Sequence, residues 1–135
     1  MDQVMARPEE RATFTKEERL CGQLRLKEVV TKGKTVTESP VKLIGIKMAL
    51  PSTSPVQVAF SVPRRYMKRA VDRNVVRRRM REAFRLNKMG PYARLKEQGV
   101  QCAWLFIYQG REILPYSMLE LKIMRSIGRW MNEHG

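Results

Sequence analysis

Five arginines stand at four-residue steps in the stretch KRAVDRNVVRRRMREAFR, residues 68–85: Arg69, Arg73, Arg77, Arg81 and Arg85. On a helix they form one ridge of like charge. Each i,i+4 pair costs roughly 0.2–0.5 kcal/mol, or about 1–2 kcal/mol over four steps, and an anion lying across the ridge reverses that cost. The guanidinium suits phosphate, because its planar fork pairs bidentately with phosphate oxygens and stacks on bases. Asn74, set among the arginines, adds a donor and an acceptor able to read a sugar or a base edge. A solvated helix face is the ordinary explanation of any one such arginine. Solvated faces interleave signs, however, and here only Asp72 and Glu82 interrupt the run.

The whole chain points the same way. Its 135 residues include 27 Lys and Arg against 13 Asp and Glu, a net charge of +14. Eleven basic and two acidic residues lie between Arg64 and Lys88, so this segment carries +9 of the +14, with Arg64, Arg65 and Lys68 extending the basic surface ahead of the ridge. Charge this concentrated is the footprint of a polyanion, most commonly nucleic acid. An anionic membrane is the competing partner. Against it, the apolar stripe Val76, Met80, Ala83 and Phe84 has core width without Trp or a long Leu face, and no run approaches the roughly 18 apolar residues of a spanning helix. The N-terminal MDQVMARPEERATFTK has mixed charge and no apolar signal-peptide core, so a cytoplasmic protein without membrane partners is expected.

Bond cleavage by the chain itself is not expected. Metal-dependent nucleases cluster carboxylates around two ions about 3.5–4 Å apart, whereas the acids here are scattered among basic neighbours. No Ser/His/Asp set, His/Cys dyad or Gly-rich phosphate loop is present. Cys21 and Cys102 have no second cysteine or histidine nearby and read as free thiols. His134, the only histidine, sits beside the C-terminus, where fraying prevents a fixed geometry. No catalytic residue, metal ligand or protein-bound cofactor is assigned.

The elements that must carry the arginines follow from periodicity. Residues 1–13 read as a flexible N-terminal leader and 14–135 as one domain. Thr15 and Glu18 have capping-box spacing, but Gly22 follows so soon that residues 14–21 are read as extended. A first helix fits QLRLKEVVTKG, with Gly33 in the left-handed position that ends helices. Strands are expected at Lys34–Thr37, Val41–Leu50 and Val56–Val62, the last with Val56, Val58, Phe60 and Val62 on one side and Gln57, Ala59 and Ser61 on a small polar side that is either solvated or open to a flat ligand. PSTSP, residues 51–55, is a turn. The arginine helix follows Pro63, its stripe Val76, Met80, Ala83 and Phe84 facing the core, and Asn74, Arg78, Arg81 and Arg85 facing away. Asp72 and Lys88 suit its two dipole ends, and Gly90-Pro91 stops it. After a linker with room for a helical turn comes the interior strand QCAWLFIYQ. A last helix opens with Ser117 and Glu120 in capping-box register and buries Leu119, Ile123, Ile127 and Trp130. The order is αβββαβα around one sheet.

The stretch FSVPRRYMKRAVDRNVVRRRMREAFRLNK resembles the signature region of the bacterial ribonuclease P protein component, with Arg73, Asn74, Arg77, Arg78 and Arg81 at the positions of its Arg-Asn helix. FTKEERL and the following helix ending in KGK resemble that family's N-terminal segment, so the likeness spans roughly residues 14–131. It implies a single-domain α/β sandwich, in the class of the second domain of ribosomal protein S5, with a left-handed βαβ crossover that departs from the usual right-handed rule. It also implies a protein subunit of an endoribonuclease whose catalytic RNA, with Mg²⁺, removes the 5′ leader of precursor tRNA. The RNA-binding set would be Arg64, Arg65, Lys68, Arg69, Arg73, Asn74, Arg77, Arg78, Arg81 and Arg85. A cleft between the sheet and the first helix would take the single-stranded leader, with Phe14, Arg19, Leu26, Val30, Gln57, Ser61 and Tyr66 as its candidates. Members of that family often carry aromatics on the first helix, where this chain has Leu26 and Val30, and a Gly before the Arg-Asn motif, which it lacks. The rival functions are another RNA-binding module, such as a ribosome assembly protein, and an autonomous nuclease.

Overall fold

A computed structural model describes residues 14–135; the expected N-terminal leader, residues 1–13, lies outside the described residues. A short 3₁₀ turn, Lys16–Glu18, leads into helix α1, Gln23–Lys32. Strands β1, Lys34–Glu38, β2, Val41–Lys47, and β3, Val56–Ser61, follow. Helix α2, Ala70–Asn87, carries the arginines and is joined to helix α3, Met89–Gln98. Strand β4, Cys102–Tyr108, and helix α4, Tyr116–His134, complete the chain. The strands form one sheet in the order β1-β2-β4-β3, with β1, β2 and β4 antiparallel and β3 parallel to β4. The βαβ crossover from β3 to β4 therefore runs through α2 and α3, and β3 is an edge strand.

The sheet divides the core. On one face Val56, Val58, Trp104, Phe106, Tyr108 and Leu43 pack with Val76, Met80 and Phe84 of α2 and Leu119, Ile123 and Trp130 of α4. On the other, Val29 of α1 and Leu20 pack on Ile44, Ala103 and Leu105. Strand β4 contributes to both, which explains why it is apolar on both sides in sequence. The expected stripe of α2 is buried in full: Val76, Met80, Ala83 and Phe84 are each 0% exposed. Among the described residues no helix is long and apolar enough to cross a membrane.

Several local expectations are corrected. Gly90-Pro91 does not close a helical region; α2 ends at Asn87, and both residues fall in the first turn of α3. A proline is tolerated there because first-turn N–H groups have no intrahelical acceptor. Gly33 ends α1 with φ −72°, not in the left-handed region. Its need for glycine is steric: an added Cβ would stand 2.3 Å from the Val29 carbonyl and 2.7 Å from Ile44 Cγ2. Helix α4 starts with Pro115 as N-cap, so Ser117 lies inside it, and Glu120 accepts hydrogen bonds from Asn87 Nδ2 at 2.9 Å and Tyr116 Oη at 3.3 Å. The turn at residues 51–55 is clamped by Gln101, whose Nε2 donates to the carbonyls of Ser52 and Ser54 while its Oε1 accepts the Leu50 N–H.

Candidate nucleic-acid interface

Helix α2 buries one side against the sheet and α4, so its arginines are sorted by phase. Arg78, Arg81 and Asn74 are exposed, as are Arg64, Arg65, Lys68 and Arg69 in and beside the turn before the helix. Among the described residues Arg64, Arg65, Lys68, Arg78 and Arg81 have no acidic partner. Asn74 Oδ1 accepts a hydrogen bond from Arg77, which aims that guanidinium along the same face. Arg65 lies 5.0 Å from the Tyr66 ring centroid, a pairing that presents a flat cationic surface.

The ridge is not uniform. Arg73 donates to the carbonyls of Met67 at 3.0 Å and Lys68 at 2.7 Å, tying down the turn that precedes α2. Arg69 stands 4.0 Å from Asp72. Arg85 Nε donates to Glu82 Oε1 at 3.0 Å, and this guanidinium holds the Glu82 carboxyl below its ordinary value. Arg79, off the ridge, donates to the Leu114 carbonyl at 2.8 Å. The helix thus offers its densest unneutralised charge in the middle, at Arg77, Arg78 and Arg81.

Behind this face lies a group that sequence reasoning missed. Glu18, 5% exposed, accepts from Lys88 Nζ at 2.6 Å and from Tyr92 Oη at 2.5 Å on one carboxylate oxygen. Its other oxygen accepts from Thr15 N at 2.8 Å and Thr15 Oγ1 at 3.0 Å. Burial acts to raise the Glu18 carboxyl, but the Lys88, Thr15 and Tyr92 hydrogen bonds and the ammonium charge outweigh it and hold the group below its ordinary value. The capping-box spacing of Thr15 and Glu18 was the available signal, and it marks a real 3₁₀ turn rather than extended chain. Lys88, assigned to the dipole of α2, is instead 3% exposed and bridges the α2–α3 junction to the N-terminal turn.

The seven candidates for a leader cleft do not converge. Leu26 packs partly buried on the α1 face of the sheet, Val30 is 54% exposed on the same helix, and Ser61 is half-buried. Gln57 does not line an open surface: it is 5% exposed, accepts from Arg25 at 3.3 Å and donates to the Glu17 carbonyl at 3.1 Å, so it props the N-terminal turn against α1. Tyr66 lies in the turn after β3, its N–H on the Pro63 carbonyl. Phe14 belongs to the opposite face, with ring centroids 6.1 Å from Phe60 and 6.2 Å from Phe84. Arg19 lies 5.9 Å from the Phe14 ring centroid, on a segment bridged to Val58 at the β3 edge.

The sequence that folds this way matches the Ribonuclease P family model over residues 14–104. The chain belongs to the ribonuclease P family. Solved structures agree on the fold. The ribonuclease P protein of Staphylococcus aureus, 15% identical, matches with a TM-score of 0.67 over 83% of this chain and 94% of its own. That of Thermotoga maritima, 19% identical, matches with a TM-score of 0.65 over 83% of this chain and 96% of its own. No curated protein sequence matches the chain. Family membership makes it a protein subunit of ribonuclease P, associated with the RNA component of that enzyme and acting in tRNA processing.

Proposed function

We propose that the chain binds the catalytic RNA of ribonuclease P through the α2 arginine face and helps that RNA, with Mg²⁺, to remove the 5′ leader of precursor tRNA. The observation that carries this reading is the set of exposed cations without acidic partners among the described residues: Arg78 and Arg81 on α2, whose stripe on the other side is buried, with Arg64, Arg65 and Lys68 in and beside the turn that precedes it. Catalytic RNA and substrate are both polyanions. A protein of charge +14 between them lowers their repulsion and lets a single strand approach the active centre. The surface beside α1, with Leu26 and Val30 on that helix and Ser61 on β3, is where we place that strand, in a cytoplasmic setting.

Mg²⁺ is assigned to the RNA–substrate assembly. Among the described residues no three His, Cys, Asp or Glu side chains converge on a common point, and Glu18, Glu38 and Glu82 are engaged by Lys88, Arg129 and Arg85. The contribution of this chain is binding, orientation and charge neutralisation.

Reconstitution tests the reading. Precursor tRNA in Mg²⁺ is expected to be cut when the protein is combined with the catalytic RNA and not by the protein alone. Cleavage by the protein alone would make it an autonomous nuclease, and absence of any effect on the RNA would make it a different binding module. Binding to the catalytic RNA should weaken with salt by about 0.7–0.9 logarithmic units per phosphate neutralised. Five such cations then predict a slope of roughly −4; a slope near zero refutes the phosphate-binding face.

A further inference from the structure

A groove of about 470 Å³ runs between the first turns of α3 and the C-terminal half of α4. Pro91 on one side and Met124, Ile127 and Met131 on the other give it apolar walls, and no Asp, Glu or aromatic residue lines it. Its width comes from two glycines, Gly90 and Gly128. A Cβ added at either would meet no atom within 4 Å, and neither has a positive φ. Among the described residues nothing therefore requires glycine at these positions. At Gly128 the choice weakens the helix, because it lies inside the nineteen-residue α4 and glycine is the poorest helix former after proline. Any side chain there would narrow the groove.

The same two helices expose further apolar surface. Met124 is 46% and Leu121 40% exposed, and Met89 and Met118 are exposed as well. Four of the nine methionines, Met89, Met118, Met124 and Met131, thus lie on α3 and α4. Methionine is flexible and polarisable, and it recurs where a surface must mould to a partner's side chains. Two arginines flank this surface: Arg94, one turn after Gly90 on α3, and Arg125, three residues before Gly128 on α4. Both are exposed, and among the described residues neither has an acidic partner. Glu120, nearer the start of α4, is held by Asn87 Nδ2 at 2.9 Å and Tyr116 Oη at 3.3 Å. RNA fits such a surface poorly, since unpaired bases are held by aromatic stacking and none is offered here. A second copy would bring the same arginines and another +14 against like charge.

We propose that this groove docks an amphipathic helix of another protein, its apolar stripe seated between α3 and α4 and its flanking carboxylates on Arg94 and Arg125. The partner's apolar anchors would recur at i, i+3, i+4 and i+7, as in other helix-in-groove complexes. Its backbone approaches α4 most closely at Gly128, where no side chain intervenes. The apolar walls supply the affinity, and the two guanidiniums select an acidic helix over a basic one. The surface is separate from the exposed cations of α2, so one chain can hold RNA there and a protein partner here at the same time.

The probe is a labelled synthetic helix with leucines at i, i+3, i+4 and i+7 and glutamates on both flanks, titrated with the full chain and followed by fluorescence anisotropy at about 0.15 M salt. One control helix replaces the glutamates by lysines, and another keeps the composition with the leucines scattered around the helix. The glutamate helix is expected to bind at least about ten-fold more tightly than either control. Gly128→Leu, which fills the groove, and Arg94→Glu, which reverses one flank, should each weaken it about ten-fold while keeping wild-type affinity for the catalytic RNA. Arg78→Glu should leave probe binding unchanged, which separates the groove from general attraction to a chain of charge +14. Gly128→Ala should raise Tm by roughly 3 °C; a fall would show that the fold itself needs this glycine and remove the basis of the proposal. Equal binding of all three helices, or of wild type and both groove variants, overturns it. Sedimentation that shows wild-type self-association abolished by Gly128→Leu would give the groove to a second copy, and loss of catalytic RNA binding in Gly128→Leu would give it to RNA; either result overturns the proposal.

Discussion

Replacing Glu18 by Gln alters the protein at one buried point and little elsewhere. The amide keeps the shape of the carboxylate and can still turn its single oxygen to Thr15, but it then sets a donor NH2 where Lys88 and Tyr92 donate, and it removes the negative charge 2.6 Å from Lys88 Nζ. The ammonium is 3% exposed, so solvent cannot replace that partner. Breaking a buried pair by removing one member costs about 3–5 kcal/mol, and the hydrogen bonds kept by Thr15 place this change near the lower end, about 3 kcal/mol. For a domain of this size that is a fall in Tm of roughly 10 °C, read by thermal unfolding of the variant beside wild type at pH 7. Lys88→Met in the Glu18→Gln background should recover part of the loss, because the pair is then replaced by groups of similar volume. The pH dependence has a definite sign. A carboxyl held below its ordinary value in the folded state contributes stability that is present above about pH 4.5, its unfolded value, and is lost as the pH falls through the folded value. Wild type should therefore lose stability below about pH 4.5 more steeply than Glu18→Gln. A Tm within about 2 °C of wild type, corresponding to well under 1 kcal/mol, would show that the cluster does not hold the N-terminal turn to the α2–α3 junction.

Arg78→Glu should reduce affinity for the catalytic RNA at least about ten-fold with little change in Tm, being a surface change at a phosphate-binding position, whereas Met80→Glu should unfold the domain because Met80 is 0% exposed; equal stability losses in thermal melts would mean that the two faces of α2 are wrongly assigned. Gly45→Ala should cost about 1–3 kcal/mol by overpacking, since its Cβ would stand 2.6 Å from Trp104 Cδ1 and 2.7 Å from Trp130 Cε2; an unchanged denaturant midpoint would contradict the close approach. Cys21 is exposed, while burial pushes the Cys102 thiol up to about 11, so alkylation near pH 8 should label one thiol of the native protein and two after unfolding, with rapid native double labelling as the opposing result.

Local patterns were legible because their causes are local. The stripe Val76, Met80, Ala83 and Phe84 repeats at helical spacing, and the alternation of Val56, Val58 and Phe60 marks a strand with one face in the core; both can be read within one window of chain. The expected order αβββαβα holds, with α3 as an additional helix beginning where Gly90-Pro91 had been read as a stop. That misreading arose because Gly and Pro oppose helix interiors but not first turns, and only the break after Asn87 puts them in a first turn. The family was legible for the same local reason, since Arg73 to Arg81 lie within three turns of one helix.

The amino-acid sequence by itself therefore determined a basic helix with a buried back and the class of polyanion it suits. It did not determine which cations remain available. Arg73, Arg77 and Arg81 look equivalent at four-residue spacing, yet Arg73 is bound to carbonyls of the preceding turn while Arg81, among the described residues, stands without an acidic partner. Nor could spacing show that Glu18 and Lys88, 70 residues apart, form a buried ion pair, that Gln57 is engaged by α1, or that Phe14 and Leu26 lie on opposite faces of the sheet. Those outcomes depend on which strand is at the edge and which segment crosses it. They are products of long-range packing, in which a charge's worth is set by the solvent its neighbours exclude rather than by its own residue type.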